Sequence, residues 1–340
     1  FDLILFNLNN SKTRTIIMYK LLRHLCIPFI ITNFQPEEKL VKFIGIDEVA
    51  GLISVVENSQ VLKKHSAQLI FGGLGATGKL KSDFGNFKAG EGITLEGGSR
   101  IRYSSLEEEG YDSQEVHSKV DSIMNVGIDK EAFPGAQLMI IKDKAVVFHE
   151  TYGHHTYDNK KEVKKDDLYD LASVTKITAA LPSIMYLHDE KKIELDRPYS
   201  DYWTDWKRRK DKKDLTVREV LAHQAGLVPY IIFAAETMRK GKFKHRFLRS
   251  EKTNKFNVPV YKDLYLNKNF VKKMQRVSNR SKVSEEKKYK YSGLTFLLVP
   301  ELTKKLGGVD YETFLKEEIY KPLGAYSIGF NPYNYYPEEQ

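Results

Sequence analysis

The sequence predicts an α/β protein in two parts, and three observations predict it. Its 340 residues exceed one average domain. Residues 1 to about 100 read as alternating strands and helices, and the chain beyond residue 113 reads as a hairpin followed by several helices. Hydrophobic residues make up 41% of the chain, which is enough to fill real cores and excludes a disordered chain.

The chain opens at Phe1, inside an apolar run (Leu3, Ile4, Leu5, Phe6), so it is expected to be a fragment lacking its natural N-terminus. The apolar run from Ile16 to Ile31 is interrupted by Lys20, Arg23 and His24. A membrane span needs about 20 largely uncharged residues. A signal peptide starting at Met18 would have a short apolar stretch and no small-residue cleavage site. The run is therefore expected to be core of the first domain. Ile27 to Thr32 and Leu52 to Val56 are strand candidates, and Gln60 to Phe71 is helical in pattern.

The loop Gly72-Gly73-Leu74-Gly75-Ala76-Thr77-Gly78 follows a helix instead of joining a strand to one, and Lys79 is not followed by Ser or Thr. That order excludes a phosphate cradle and predicts a helix C-cap. The single cysteine, Cys26, excludes an internal disulfide and leaves the compartment open.

Residues 82–112 are expected to be a linker: glycines at 85, 90, 92, 97 and 98 precede the acidic Glu107-Glu108-Glu109, without periodicity. The second domain, 113–340, opens with a helix from Ser113 to Gly127, with Val116, Val120, Ile123 and Met124 on one face. Phe133-Pro134-Gly135 breaks it. Ala136–Ile141 and Ala145–Glu150 then read as two strands joined at Lys142-Asp143-Lys144. Leu215 to Leu221 reads as a helix capped by Thr216 that runs into His223-Gln224-Ala225-Gly226-Leu227, and Tyr311 to Tyr320 as a final helix. Much of the net charge of +9 is local: Arg239 to Lys255 holds eight basic residues against one acid, Glu251. Basic runs in loops are usually solvated, so this stretch and Lys207–Lys213 are read as solvated surface and no nucleic-acid partner is expected.

The chemistry centres on Leu168-Tyr169-Asp170-Leu171-Ala172-Ser173-Val174-Thr175-Lys176. A short apolar segment ends at Ser173, where a helix pattern starts, and Ile177, Ala180, Leu181, Ile184 and Leu187 follow at helical spacing. Pro182 predicts a kink or an early end. Residues three apart share a helix face, so the Ser173 hydroxyl and the Lys176 ammonium can meet. An acyl-transfer nucleophile needs a hydroxyl, a cation or base beside it, and donors for an oxyanion, which a helix N-terminus supplies. The motif alone also fits an N-cap serine. A second copy, Ser284-Glu285-Glu286-Lys287, lies in a charged stretch and reads as surface.

Two resemblances extend this reading. Residues Ala67 to Leu80 resemble the end of the C-terminal α/β sandwich domain of family 3 glycoside hydrolases, with Lys81 where a proline is expected. This implies a partial sandwich over residues 1–81. That family's nucleophilic aspartate lies in a preceding barrel, so no glycosidase activity is implied for these residues.

In order along the chain, Phe133-Pro134-Gly135, the hairpin with Tyr152-Gly153, Ser173-Val174-Thr175-Lys176, His223-Gln224-Ala225-Gly226-Leu227, Tyr291-Ser292 and Lys321-Pro322-Leu323-Gly324 resemble the β-lactamase-related serine hydrolases: the class C β-lactamase, D-alanyl-D-alanine carboxypeptidase and esterase group. The whole layout resembles a fusion of this domain behind a family 3 glycosidase. The resemblance implies a β-lactamase/transpeptidase-like fold with an antiparallel sheet and a helical region. It implies that Ser173 is acylated, and that Tyr291 exchanges the proton with Lys176 as its cation. It calls for no cofactor and no metal. It also implies a small-molecule or cell-wall-derived substrate and an exported protein. His223 is expected to be structural.

Two departures stand out. Gly293 replaces the Asn that often follows Tyr-Ser, and no Lys-Thr-Gly or His-x-Gly motif follows Tyr291. The resemblance therefore implies that the C-terminal strands are missing and that the fragment itself is inactive if nothing supplies them. The alternative is a non-catalytic cell-wall or carbohydrate-binding accessory module of a family 3 glycosidase.

Overall fold

The computed structural model describes residues 3–55 and 57–336. Contacts divide the chain into two units, with the boundary between Asp167 and Leu168.

Among its described residues the first unit contains two sheets. Strands β1 (Ile4–Leu8), β2 (Phe29–Asn33) and β3 (Gly51–Ser54) form a parallel sheet in that order, with Ile4 opposite Phe29 and Ile31 opposite Leu52. Of the second strand candidate, Leu52 to Ser54 lie in β3, and Val56 lies outside the described residues. Helix α1 (Thr13–His24) makes the crossover from β1 to β2, two 3-10 segments (Glu37–Lys42 and Ile46–Glu48) lie between β2 and β3, and α2 (Gln60–Ile70) follows the sheet. The core contains Leu8, Tyr19, Phe29, Ile31, Leu40 and Phe43.

Only one face of the Ile16–Ile31 run is core. Tyr19 is buried, whereas Ile17, Met18, Leu21 and Leu25 are each about half exposed. A helix that packs on one side can bury only a stripe. Helix α2 is capped at Ser59, whose side chain accepts from the Leu62 N–H. It ends in a Schellman motif: Gly72 adopts a positive φ of 79°, its N–H donates to the Leu69 carbonyl, and the Gly73 N–H donates to Gln68.

The stretch expected as a linker is packed. Phe84 is buried in the first core and Leu106 in the second, and β4 (Arg102–Tyr103) pairs parallel with β6 (Ala145–Gly153). Glycine content hides these contacts, because single buried side chains carry no period. Helix α3 (Ser113–Asp129) begins at the N-cap Asp112. It buries Met124 and packs Val116 and Val120, but Ile123 is 70% exposed, so the apolar face is narrower than expected. Strand β5 (Gly135–Lys142) pairs antiparallel with β6 through a two-residue turn at Asp143 and Lys144, both at positive φ (47° and 64°), as a primed hairpin turn requires. In the sheet order β4-β6-β5, the short β4 pairs with part of β6 on the side away from β5.

The second unit is mainly helical. Its longer helices are α4 (Leu181–Asp189), α8 (Lys268–Arg280) and α9 (Val299–Gly307); α5 (Tyr199–Tyr202), α6 (Val217–Leu221), α7 (Phe233–Thr237) and α10 (Tyr311–Phe314) are short. Ile184, Leu187, Ile193, Trp206, Val217 and Leu302 lie in its core. Asn279 ties this core together: its Oδ1 accepts from the indole N–H groups of Trp203 (3.0 Å) and Trp206 (3.2 Å), and its amide donates to Asp205 at 2.5 Å.

The basic segment is not a bare loop. It forms a hairpin, β7 (Met238–Arg239) with β8 (Lys242–Phe243), and a small sheet of β9 (Leu248–Arg249), β10 (Phe256–Tyr261) and β11 (Leu264–Asn267). Nor is Lys207–Lys213 wholly solvated. Lys212 is fully buried and donates to the Ser281 carbonyl, and burial holds its pKa down. Among the described residues no helix is long and apolar enough to cross a membrane, and no cluster of three His, Cys, Asp or Glu side chains could hold a metal ion.

Candidate active site

Ser173 does not open an α-helix. A 3-10 turn spans Ala172–Val174, a π-helical segment spans Lys176–Ala180, and α4 begins only at Leu181. Ala172 has a φ of +43°, a left-handed conformation that L-residues rarely adopt, and the Asp170 carboxylate accepts its N–H at 2.8 Å. This sharp turn places the serine. Ala180, Ile184 and Leu187 are buried as the spacing predicts, whereas Ile177 is 64% exposed and Leu181 37%. Pro182 sits in the first turn of α4, where a missing N–H is tolerated, so the helix runs on to Asp189.

The Ser173 hydroxyl accepts a hydrogen bond from the Lys176 ammonium at 3.0 Å. The structure brings Tyr291 to the same point. Its phenol is held below the usual tyrosine pKa by hydrogen bonding to Lys176 first and to Ser173 second. The ammonium also lies 5.1 Å from the Tyr291 ring centroid and 5.7 Å from that of Phe296. The second Ser-x-x-Lys is not assembled this way, since Lys287 pairs with Glu219 at 2.6 Å.

Tyr291 lies outside regular secondary structure, and a loop 60 to 70 residues upstream holds it. Thr216 and Glu219 form a capping box that starts α6, and His223, just past the C-cap Ala222, has a φ of +58°. From there, the loop zips onto the tyrosine segment. The Lys290 N–H donates to the His223 carbonyl (2.9 Å), the Ser292 N–H to His223 Nδ1 (3.1 Å) and the Gly293 N–H to the Pro229 carbonyl (3.0 Å). The buried Ser292 hydroxyl donates to Val228 at 2.6 Å. Gly226, at φ +67°, approaches so closely that an added Cβ would lie 2.5 Å from the Ser284 carbonyl oxygen.

The His223 ring packs on Tyr291, with centroids 4.6 Å apart, and on Phe296 at 5.4 Å. Burial, and then the charge of Lys176, lower the His223 pKa. The neutral ring keeps Nδ1 free to accept. Sequence reasoning anticipated a structural histidine but missed that its target is the tyrosine. The order His223-x-x-Gly226 before Tyr291 was the available signal. Around Gly293 there is room: an added Cβ would meet the Lys176 Cε at 3.9 Å and nothing closer.

Residues 119–336 match the sequence family described as Beta-lactamase. That match covers well over half of the chain, so the protein belongs to the β-lactamase family and has its α/β fold. It is 25% identical over 226 residues to "N-acetylmuramyl-L-alanine amidase" of Bacillus subtilis (63% of this chain, 46% of that protein). It is 25% identical over 251 residues to "Putative D-alanyl-D-alanine carboxypeptidase" of Salmonella agona (67% and 50%). Among solved structures, "EstCE1, a hydrolase with promiscuous acyltransferase activity" aligns with a TM-score of 0.46 and 17% identity, over 62% of this chain and 52% of that one. The class C beta lactamase from Rhodobacter sphaeroides aligns with a TM-score of 0.43 and 17% identity, over 60% and 48%. The chain spans about half the length of the curated relatives it matches.

Proposed function

We propose that this protein is a serine hydrolase that cleaves an amide or ester of cell-wall origin through a Ser173 acyl-enzyme. One observation carries the reading: the Ser173 hydroxyl, the Lys176 ammonium and the Tyr291 phenol share hydrogen bonds, with the phenol's pKa lowered. The names of the amidase and carboxypeptidase relatives support the substrate class.

In the proposed reaction, Tyr291, its phenolate favoured by Lys176, takes the Ser173 hydroxyl proton as Oγ bonds to the substrate carbonyl carbon. The carbonyl π pair moves onto oxygen, and the Ser173 N–H faces that charge. Collapse breaks the C–N or C–O bond, and the leaving amine or alcohol takes the proton from Tyr291. Water then attacks the acyl carbon and gives its proton to Tyr291. The second collapse releases the acid, and the proton returns to Ser173. Turnover of a panel of D-alanyl amides and esters tests this proposal: activity lost in Ser173→Ala supports it, and activity that survives the substitution contradicts it.

A second reading draws on Gly293, which leaves no carboxamide beside Lys176. In that reading the domain is a non-catalytic cell-wall or carbohydrate-binding module of a family 3 glycosidase. Peptidoglycan binding that survives Ser173→Ala, without turnover in the unaltered protein, separates the two. We also read residues 1–81 as the end of a family 3 C-terminal domain, supported by the parallel β1-β2-β3 sheet and the glycine-capped α2. A gene with no upstream barrel domain would contradict this.

A further inference from the structure

We propose that Tyr320 is a positioning residue for Lys176 and acts through the backbone carbonyl that Pro182 leaves without a helical partner. The inference deepens the reading of Lys176 as the cation of the site and rests on it.

In an α-helix the N–H of residue 182 would donate to the carbonyl of Thr178. Residue 182 is proline, which has no N–H, and its ring crowds that same carbonyl. The preceding turn therefore cannot stay α-helical. It opens instead into the π segment Lys176–Ala180, in which the Leu181 N–H reaches back five residues to the Lys176 carbonyl.

The Thr178 carbonyl is satisfied from another element. The Tyr320 phenol donates to it at 3.2 Å across 142 residues of sequence. Tyr320 closes a second π segment, Leu315–Tyr320, and packs in one buried cluster with Ala179 and Leu315. Burial pushes its phenol up to about 12, so the hydroxyl keeps its proton and remains a donor. Because π segments are rare, two of them packed together, one beginning at the site lysine, point to a built feature.

The consequence falls on Lys176. The extra residue in the π turn sets the rotation of Lys176 relative to α4, and Lys176 is the donor 3.0 Å from the Ser173 hydroxyl. Pro182 forbids the α register, and Tyr320 fixes the alternative. Without the phenol, the Thr178 carbonyl must find water or move, and the lysine moves with its turn.

A double-mutant cycle tests this. Tyr320→Phe removes only the hydroxyl, and Pro182→Ala restores an N–H at 182. The readout is the rate at which a fluorophosphonate probe labels Ser173, followed across pH. Tyr320→Phe is expected to slow labelling about tenfold, since a misplacement on the order of 1 Å can cost up to about a hundredfold. Its pH profile should also move to higher pH, because a displaced Lys176 no longer lowers the Tyr291 phenol. In the Pro182→Ala background the second substitution should add little. A rate and pH profile unchanged in Tyr320→Phe, or full additivity in the cycle, would overturn the positioning role. Absence of label on wild-type Ser173 would instead overturn the reading of the site, and this role with it. If Tyr320→Phe does not fold, as judged by near-UV circular dichroism, Pro182→Ala alone decides: the same upward pH shift supports the role, and an unchanged profile overturns it.

Discussion

His223→Ala is the most informative single perturbation of the tyrosine loop. It removes the Nδ1 acceptor of the Ser292 N–H, 3.1 Å away, and the ring that packs 4.6 Å from Tyr291. Ser292 is 2% exposed, so its N–H is left buried without its partner. An unsatisfied buried donor costs about 1–3 kcal/mol, and a lost aromatic pair about 0.5–1.5 kcal/mol. Because His223 is itself only partly buried, the lower end of each range applies, giving roughly 1.5 kcal/mol. At about 1.4 kcal/mol per factor of ten, protection of the Ser292 amide should fall about tenfold in native-state hydrogen exchange. The sign with pH is also fixed. The folded His223 pKa lies below its unfolded value near 6.5, so its contribution is complete above pH 6.5 and is lost as pH falls below that value toward the folded pKa. His223→Ala should flatten that acid-side loss. Unchanged Ser292 protection, or wild-type stability that rises on acidification through this window by way of His223, would refute the reasoning.

Other substitutions probe neighbouring parts of the account. Lys176→Met removes the main cause of the lowered Tyr291 phenol, so the pH-rate profile of Ser173 labelling should shift toward the ordinary tyrosine value; an unchanged profile contradicts it. Gly226→Ala sets a Cβ 2.5 Å from the Ser284 carbonyl at a φ of +67°, and calorimetry should show destabilisation of about 1–3 kcal/mol. Asn279→Leu leaves two indole N–H groups and Asp205 without their amide partner and should cost at least about 2 kcal/mol, read as a lower midpoint in urea. Gly293→Asn has space for its Cβ and should fold, raising the rate on amides relative to esters by placing a carboxamide beside Lys176.

Much of the architecture could be read from the sequence because it depends on local repetition. Helices α2 and α3 have caps and periods, and the β5–β6 hairpin has alternation and a turn. The Ser173–Lys176 pair was legible for the same reason, as two residues three apart in sequence. What escaped depends on contacts that no local window contains. Phe84 and Leu106 are single anchors in glycine-rich and acidic surroundings, and Lys212 is a buried charge whose partner carbonyl lies 69 residues away. Strands β7 to β9 are two residues each, too short for alternation to register. The α-helical reading of 173–187 failed before Leu181, where a 3-10 turn and a π segment precede α4, and Pro182, read as a kink or an early end, sits in the first turn of that helix. His223 was seen as a helix end, but its packing on Tyr291 needed the loop closure that Gly226 permits.

The central claim is that Ser173 is the residue acylated. Intact and peptide mass spectrometry after reaction with a fluorophosphonate tests it most directly. The account predicts one adduct, on the peptide containing Ser173, abolished in Ser173→Ala and slowed in Tyr291→Phe. An adduct on another residue, or none on folded protein, would contradict it.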